Sequence, residues 1–425
     1  MSVTAIVGGN WGDEGKGKMT DLLAKEAAYV VRFQGGNNAG HTIMNQYGKF
    51  QLHLLPSGVF YQNATNILAP GVALNIKGFL DEYEHLMSRG VPAPQIKISH
   101  RAQVILPQHV LLDQYEEARL GTKKFGSTQS GIAPFYADKY SKIGIQVNDL
   151  FTPDRLLDKL ERNIEKKNVL LQHFYKQPLL EAEKICDDLI PLGHRIKPFV
   201  CDTTKVMNEA IAQQKNILME GQLGALKDPD HGIYPMTTSS SPLAGFSAIG
   251  AGIPATSIQH VVTVVKAYSS CVGAGPFVSE IFGEEAAQLR HLGGDNGEYG
   301  ATTGRPRRMG WFDVVATRYG CTLQGTTEVA LSLLDVLGYL ENIPVCTAYQ
   351  INDTITQAFP VTHELDLAKP VIEPLPGWQR DISHIRSYTD LPMEAKNYVN
   401  YIENAIGFPI KYISVGPERD AIIMR

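Results

Sequence analysis

The chain has 425 residues, 44% of them hydrophobic, with 39 Lys and Arg against 44 Asp and Glu for a formal net charge of -5. That is enough apolar material for a large buried core, and the charge excludes a global attraction to nucleic acid or an anionic membrane while leaving a local basic pocket open. No run of about 18 apolar residues occurs and no basic leader precedes the first strand-like segment, so neither membrane insertion nor secretion is expected.

Residues 4–9 are small and apolar and predict a buried first strand, while residues 18–28 carry Met19, Leu22 and Leu23 at helical spacing. A second strand is expected at residues 29–33. Strand, glycine turn, helix and strand within about 33 residues form a βαβ signal, which predicts an α/β fold: one large domain with a mostly parallel central sheet and flanking helices. Residues 67–69 and 103–106 read as further short strands. Residues 154–175 and 178–190 are charged and helical in period, so a mainly helical subregion is expected at about 100–200. A strand returns at residues 216–220. Residues 258–268 have the length of a helix and the β-branched content of a strand, and both readings stay open. Residues 329–340 combine strand and helix, 345–349 read as a strand, 377–389 as loop, 392–406 as a helix and 410–414 as a last strand. With no internal repeat or low-complexity linker, residues 1–425 are expected to form a single P-loop-like domain. The five cysteines, Cys186, Cys201, Cys271, Cys321 and Cys346, are widely spaced and read as reduced, mostly buried thiols.

Chemistry concentrates in three clusters. The turn after the first strand reads Gly12-Asp-Glu-Gly-Lys-Gly-Lys18. It satisfies P-loop spacing up to the last position, where Met19 stands in place of the magnesium-binding hydroxyl, so Asp13 becomes the candidate for the metal. Gly12, Gly15 and Gly17 let backbone amides converge on phosphate at a helix start, and Lys16 or Lys18 would neutralise its charge. The second cluster, Gln34-Gly-Gly-Asn-Asn-Ala-Gly-His-Thr42, follows the second strand. Neighbouring parallel strands share one carboxyl edge, so His41 is expected to face Asp13 across a ligand. The pair would act as base and acid, or as metal ligand and phosphate donor. His53, in an apolar setting, reads as a satisfied near-core group. In the third cluster, Gly300-Ala-Thr-Thr-Gly-Arg-Pro-Arg-Arg308, Arg305, Arg307 and Arg308 suit a planar grip on carboxylate or phosphate from a closing loop. Asp335 reads as a helix-end group or a pocket acceptor.

Taken together, Trp11-Gly-Asp-Glu-Gly-Lys-Gly-Lys18, residues 36–42, Pro56-Ser-Gly58, Lys266-Ala-Tyr-Ser269, Val272-Gly-Ala-Gly-Pro-Phe277, residues 300–308 and Gly310-Trp311 resemble the adenylosuccinate synthetase family over nearly the whole chain. The resemblance implies a cytoplasmic, Mg2+-dependent homodimer. It would join IMP and L-aspartate at the expense of GTP, through a 6-phosphoryl-IMP intermediate, in purine nucleotide biosynthesis. It implies that Asp13 removes the purine N1 proton and coordinates Mg2+ together with the Gly40 carbonyl. His41 would hydrogen-bond the phosphoryl group in transit, with Lys16 offsetting its charge. Gly12, Gly15, Lys16, Gly17, Lys18 and Thr42 would hold the GTP phosphates, with Arg307 near the nucleotide. Asp335, Ser414, Gly416 and Pro417 would hold the guanine. Asn38, Thr128 and Thr238 would contact IMP, and Thr302, Thr303 and Arg305 would contact aspartate. Lys142 would reach the IMP phosphate of the partner's active site.

Four positions depart from the family pattern. Ser130 and Lys142 replace arginines, Leu223 replaces a glutamine in a Glu-Gly-Ala-Gln-Gly run, and Leu333 replaces a lysine beside the guanine ring. Two alternatives follow: the same chemistry on a modified purine nucleotide or with another amino donor, or a GTP-binding scaffold without catalysis.

Overall fold

The computed structural model describes residues 2–294, 297–300 and 304–425. Thr302 and Thr303 lie outside the described residues.

Among the described residues, ten strands form the main sheet: β1 (Val3–Gly8), β2 (Tyr29–Arg32), β3 (Thr65–Leu68), β4 (Gln95–Ser99), β5 (Val200–Cys201), β6 (Ile217–Glu220), β7 (His260–Lys266), β8 (Glu328–Ser332), β9 (Ile410–Ser414) and β10 (Ile422–Met424). Their spatial order is β10-β9-β8-β7-β1-β6-β2-β3-β4-β5, parallel except for the β9–β10 edge pair. The mostly parallel α/β sheet expected from the βαβ signal is therefore present. Alternation along each strand feeds two apolar layers. Val3, Ala5 and Val7 pack with Met207, Ala210, Ala244 and Ala248 on one face, and Ile6 packs with Met19, Ala24 and Val264 on the other. Residues 258–268 resolve to strand β7, since Val261, Val262, Val264 and Val265 are all buried and β-branched residues fit a pleated, two-sided interior.

One adjacency differs from expectation. β1 and β2 are not neighbours, because β6 lies between them, with Ile217 beside both Val3 and Tyr29. That insertion delivers Glu220 to the carboxyl edge between the two glycine-rich clusters. The first helix, α1 (Lys16–Ala24), also starts earlier than its apolar spacing suggests, because Gly15 adopts the left-handed conformation at φ 98° and begins it. Residues 41–52, with no strong alternation, form a hairpin, His41–Asn45 against Gly48–Leu52.

Four α-helices lie in the 100–200 stretch, Pro107–Leu120, Ile132–Tyr140, Pro153–Val169 and Ala182–Ile196, and the third runs into a π-helical turn at Leu170–Tyr175. A buried polar network ties three of them. Asp138 accepts from His109 Nε2 at 2.9 Å and Asn163 Nδ2 at 2.8 Å, and pairs with Lys167. With both Asp138 oxygens engaged, such a network fixes the mutual register of the helices.

Candidate active site

The glycine turn is built around a buried carboxylate. Glu14 Oε1 accepts the amides of Gly12 at 2.8 Å and Asn10 at 3.2 Å, and Oε2 pairs with Lys16 Nζ at 2.6 Å. The turn thus closes on itself and holds the Lys16 ammonium at a fixed place. Positive φ at Gly12, Asp13 and Gly15 lets the chain double back between β1 and α1, and aspartate is among the side chains that tolerate that region. No side chain caps Gly15, which leaves the first-turn amides of α1 for an anion.

His41 opens the hairpin beside α1. A Cβ added at Gly17 would lie 2.7 Å from the His41 Cβ, so glycine there permits the contact. We expect Gly17→Ala to push the histidine out of place, at a cost of about 1–3 kcal/mol. A thermal melt and a turnover assay on the same preparation check this. The His41 ring is fixed by the inserted strand: Nδ1 lies 2.6 Å from Glu220 Oε1, and Ser57 donates to the same carboxylate through its amide at 2.8 Å and its hydroxyl at 2.5 Å. Among the described residues, His41 Nε2 is buried with no partner. Burial pulls the imidazole below its ordinary pKa although the Glu220 charge opposes this. Burial works against ionisation of Glu220 too, but His41, Arg32 and Ser57 together hold its pKa below the usual range.

Two cavities meet here. The smaller, about 260 Å³, is lined by Gly15, Lys16, Gly17, Lys18, His41, Thr42, Lys266, Glu298, Leu333, Ser414, Gly416 and Pro417. The larger, about 860 Å³, is lined by Gly12, Asn38, Thr128, Thr238, Lys227 and the helical subregion. Asp13, Gly40, Leu223 and Arg307 line both. At this junction Arg307 Nη2 pairs with Asp13 Oδ2 at 2.9 Å, and its Nη1 pairs with Glu298. Glu298 also accepts from Lys266 at 2.7 Å and Tyr268 at 2.5 Å. Burial disfavours the Glu298 charge, but Lys266 and Arg307 hold its pKa at about 2. This fixed anion anchors Arg307 at the junction.

At the far end of the smaller cavity Lys18 Nζ ties down the C-terminal segment, donating to Gly416 O at 2.6 Å, Ser414 Oγ at 2.8 Å and Ala421 O at 3.1 Å. Burial lowers the Lys18 pKa to about 8, against the pull of Asp335. Asp335 begins a short 3-10 helix, and its Oδ1 is buried without a partner among the described residues. Burial raises its pKa to about 6, partly offset by backbone hydrogen bonding and Lys18.

Most of the residues expected at the site are thus gathered around one junction. Arg305 approaches the larger cavity from outside, donating to Gly126 O at 2.8 Å. Lys142 is exposed, at φ 64°, and lines neither cavity of its own chain. His53 is satisfied as expected, with Nδ1 3.0 Å from Ala39 O. The departures take definite places: Leu223, at φ 62°, is the partition between the cavities, and Gln222 beside it turns inward to Arg32, Gln34 and Asn38. Ser130 hydrogen-bonds Thr128. Sequence reasoning missed Glu14, Glu220 and Glu298 as organising carboxylates. Their signal was their position, each acidic residue being adjacent to glycine-rich or strand-end segments.

Comparison with known proteins bears on this arrangement. A family model described as adenylosuccinate synthetase matches residues 5–423. The chain is 46% identical over 426 residues to a protein from Dehalococcoides mccartyi named adenylosuccinate synthetase, covering all of both chains. It is 45% identical to the Brevibacillus brevis protein of the same name, covering 100% of this chain and 99% of that one. Its fold superposes on the fully ligated adenylosuccinate synthetase structure from Plasmodium falciparum with a TM-score of 0.92 at 33% identity, covering 100% of both chains. With sequence and fold agreeing from end to end, the chain belongs to the adenylosuccinate synthetase family, GTP-dependent ligases that join IMP to L-aspartate in purine nucleotide biosynthesis.

Proposed function

We propose that this chain makes adenylosuccinate from IMP, L-aspartate and GTP through a 6-phosphoryl-IMP intermediate, with GTP in the smaller cavity and IMP and aspartate in the larger. The observation that carries this reading is the junction, where one carboxylate, Asp13, belongs to both cavities and His41 Nε2 lacks a protein partner beside it. An oxide at the purine 6-position leaves poorly, so the reaction needs a group to take the N1 proton and another to steady the phosphoryl group arriving at O6. Asp13 takes the first role. His41 and Lys16 take the second, with the Glu220 carboxylate holding His41 so that Nε2 points at the group in transit. The amine of aspartate then displaces phosphate. Gly12, Gly15, Gly17, Lys18 and Thr42 hold the GTP phosphates, with Arg307 beside them. Asp335, Ser414, Gly416 and Pro417 take the guanine, Asn38, Thr128 and Thr238 take IMP, and Thr302, Thr303 and Arg305 take aspartate. The four departures leave these roles in place, and the reading treats residues 1–425 as one ligase domain.

For Mg2+ we assign the Asp13 carboxylate and the Gly40 carbonyl. Both are hard oxygen donors, and among the described residues no group of three His, Cys, Asp or Glu could hold a metal without further ligands. That fits an ion that draws its remaining oxygens from phosphate and water. When bound, it would neutralise charge on the phosphoryl oxygens. Chelation with EDTA is expected to abolish turnover, and added Mg2+ to restore it.

Support for a homodimer comes from apolar side chains of the helical subregion that are exposed outside both cavities, Val169, Phe174 and Leu179. Lys142 lies on the same subregion, in reach of a partner seated there. Among the described residues no helix is long and apolar enough to cross a membrane, and the free cysteines accord with a cytoplasmic enzyme. The test is turnover of purified protein with GTP, Mg2+, IMP and L-aspartate, against related purine nucleotides and amino donors. Preference for another acceptor or donor would overturn the substrate assignment, and GTP binding without product from any of them would overturn the enzymatic reading.

A further inference from the structure

The larger cavity is lined by three cations, Lys167, Lys227 and Arg307, among the described residues. Two are spent: Lys167 pairs with Asp138, and Arg307 with Asp13 and Glu298. The third is different. Lys227 is 8% exposed, and its ammonium meets a single partner among the described residues, Met236 O at 3.1 Å. An ammonium carries three donors, and burying one with two of them and its charge unanswered is costly unless an anion arrives.

The surroundings say which part of the cavity it serves. A Cβ built on Gly275 would lie 2.9 Å from the Met236 Cβ, so the two segments are in contact. Arg308 Nη1 donates to the carbonyls of both Gly275 and Gly273, and Gly273 packs on Gly126, whose carbonyl accepts from Arg305. The segment that Lys227 grips is thus joined, contact by contact, to the segment that Arg305 grips on the wall of the larger cavity. Nearby carboxylates are already engaged: Glu117 accepts the amides of Phe125, Gly126 and Ser127, and Asp113 accepts that of Gly131.

We infer that Lys227 is a second cation of the amino-donor subsite, receiving one carboxylate of a dicarboxylic amino acid while Arg305 receives the other. This rests on the reading of the larger cavity as the acceptor and donor side.

Steady-state kinetics of Lys227→Met, which keeps the length and apolar stem, test it. The expected result is a KM for L-aspartate raised about 10–100-fold, the effect of one lost charged hydrogen bond, with kcat and the KM values of IMP and GTP little changed. Lys227→Arg should recover most of the loss. If Lys227→Met does not fold, Lys227→Gln gives the same readout with a polar side chain. An unchanged aspartate KM overturns the inference, and so does a rise confined to the IMP KM, which would assign the ammonium to the nucleotide phosphate. Wild-type protein that makes no product from IMP and aspartate would sink the functional reading itself, whatever Lys227 does.

Discussion

Asp13→Asn is expected to lower kcat by about 10²–10⁴-fold, the range for losing a positioned general base, while leaving the fold and GTP binding largely intact. Asparagine matches aspartate in size and also tolerates the left-handed backbone that position 13 requires at φ 59°, so the turn between β1 and α1 should keep its shape. Arg307 would lose one of its two carboxylates but remain anchored by Glu298, whose own charge is held by Lys266. What disappears is the anionic oxygen shared by the two cavities. Product formation under saturating substrates, a GTP titration and a thermal melt separate these outcomes. Near wild-type turnover in Asp13→Asn would remove Asp13 from the proton transfer.

Glu220→Gln should be nearly as damaging, for a different reason. Glu220 is fully buried and its two oxygens serve His41, Ser57 and the field of Arg32, itself fully buried with Nε and Nη1 lacking partners. Removing the negative charge leaves Glu82 as the remaining charge that offsets that guanidinium and weakens the hydrogen bonds from His41 and Ser57, charged ones being worth about 1.5–3 kcal/mol each. The amide also changes which His41 nitrogen is protonated, so kcat should fall together with stability. The contribution of the His41 and Glu220 pair to the wild-type pH dependence has a definite sign. Burial depresses the His41 pKa in the folded state, so the unfolded chain binds a proton first as pH falls below about 6.5, and stability drops with acidification in that range. The depressed Glu220 pKa acts in the same direction at lower pH: its contribution is present above about 4.3 and is lost as pH falls through the folded value. Burial raises the pKa values of Asp313 and Asp335 to about 6, which acts oppositely, so the check is the melting temperature of wild-type against His41→Gln protein from neutral to mildly acid pH: the wild type should fall more steeply, and equal slopes would contradict the assignment.

The local reading of the chain succeeded where composition dictates geometry. Small apolar residues before a glycine-rich turn made β1 and its loop evident, the loop's charges pointed to Asp13 and to Lys16 or Lys18, and the polar cluster after β2 pointed to His41. What escaped was order in space. An apolar strand such as Ile217–Glu220 carries no label naming its neighbours, so its place between β1 and β2, and with it the role of Glu220, was invisible. The hairpin that begins with His41 escaped because glycines and polar residues blur its alternation. The start of α1 at Lys16 was set by the backbone of Gly15 rather than by apolar spacing. Leu223 and Leu333 showed the limit most clearly. Both adopt positive φ, at 62° and 61°, which a leucine disfavours, and only the surrounding fold reveals that each stands at a cavity wall.

The place of β1 in the sheet also bears on how the chain comes to be folded. Its two neighbours are β6 and β7, which begin more than two hundred residues downstream. A ribosome must therefore release about half of the polypeptide before the first strand made has anything to pair with. Pairings of such sequence separation fold slowly and leave apolar segments exposed meanwhile. The segment that carries the glycine-rich turn is thus among the first synthesised, and truncation anywhere before β6 leaves it without either of its strand neighbours.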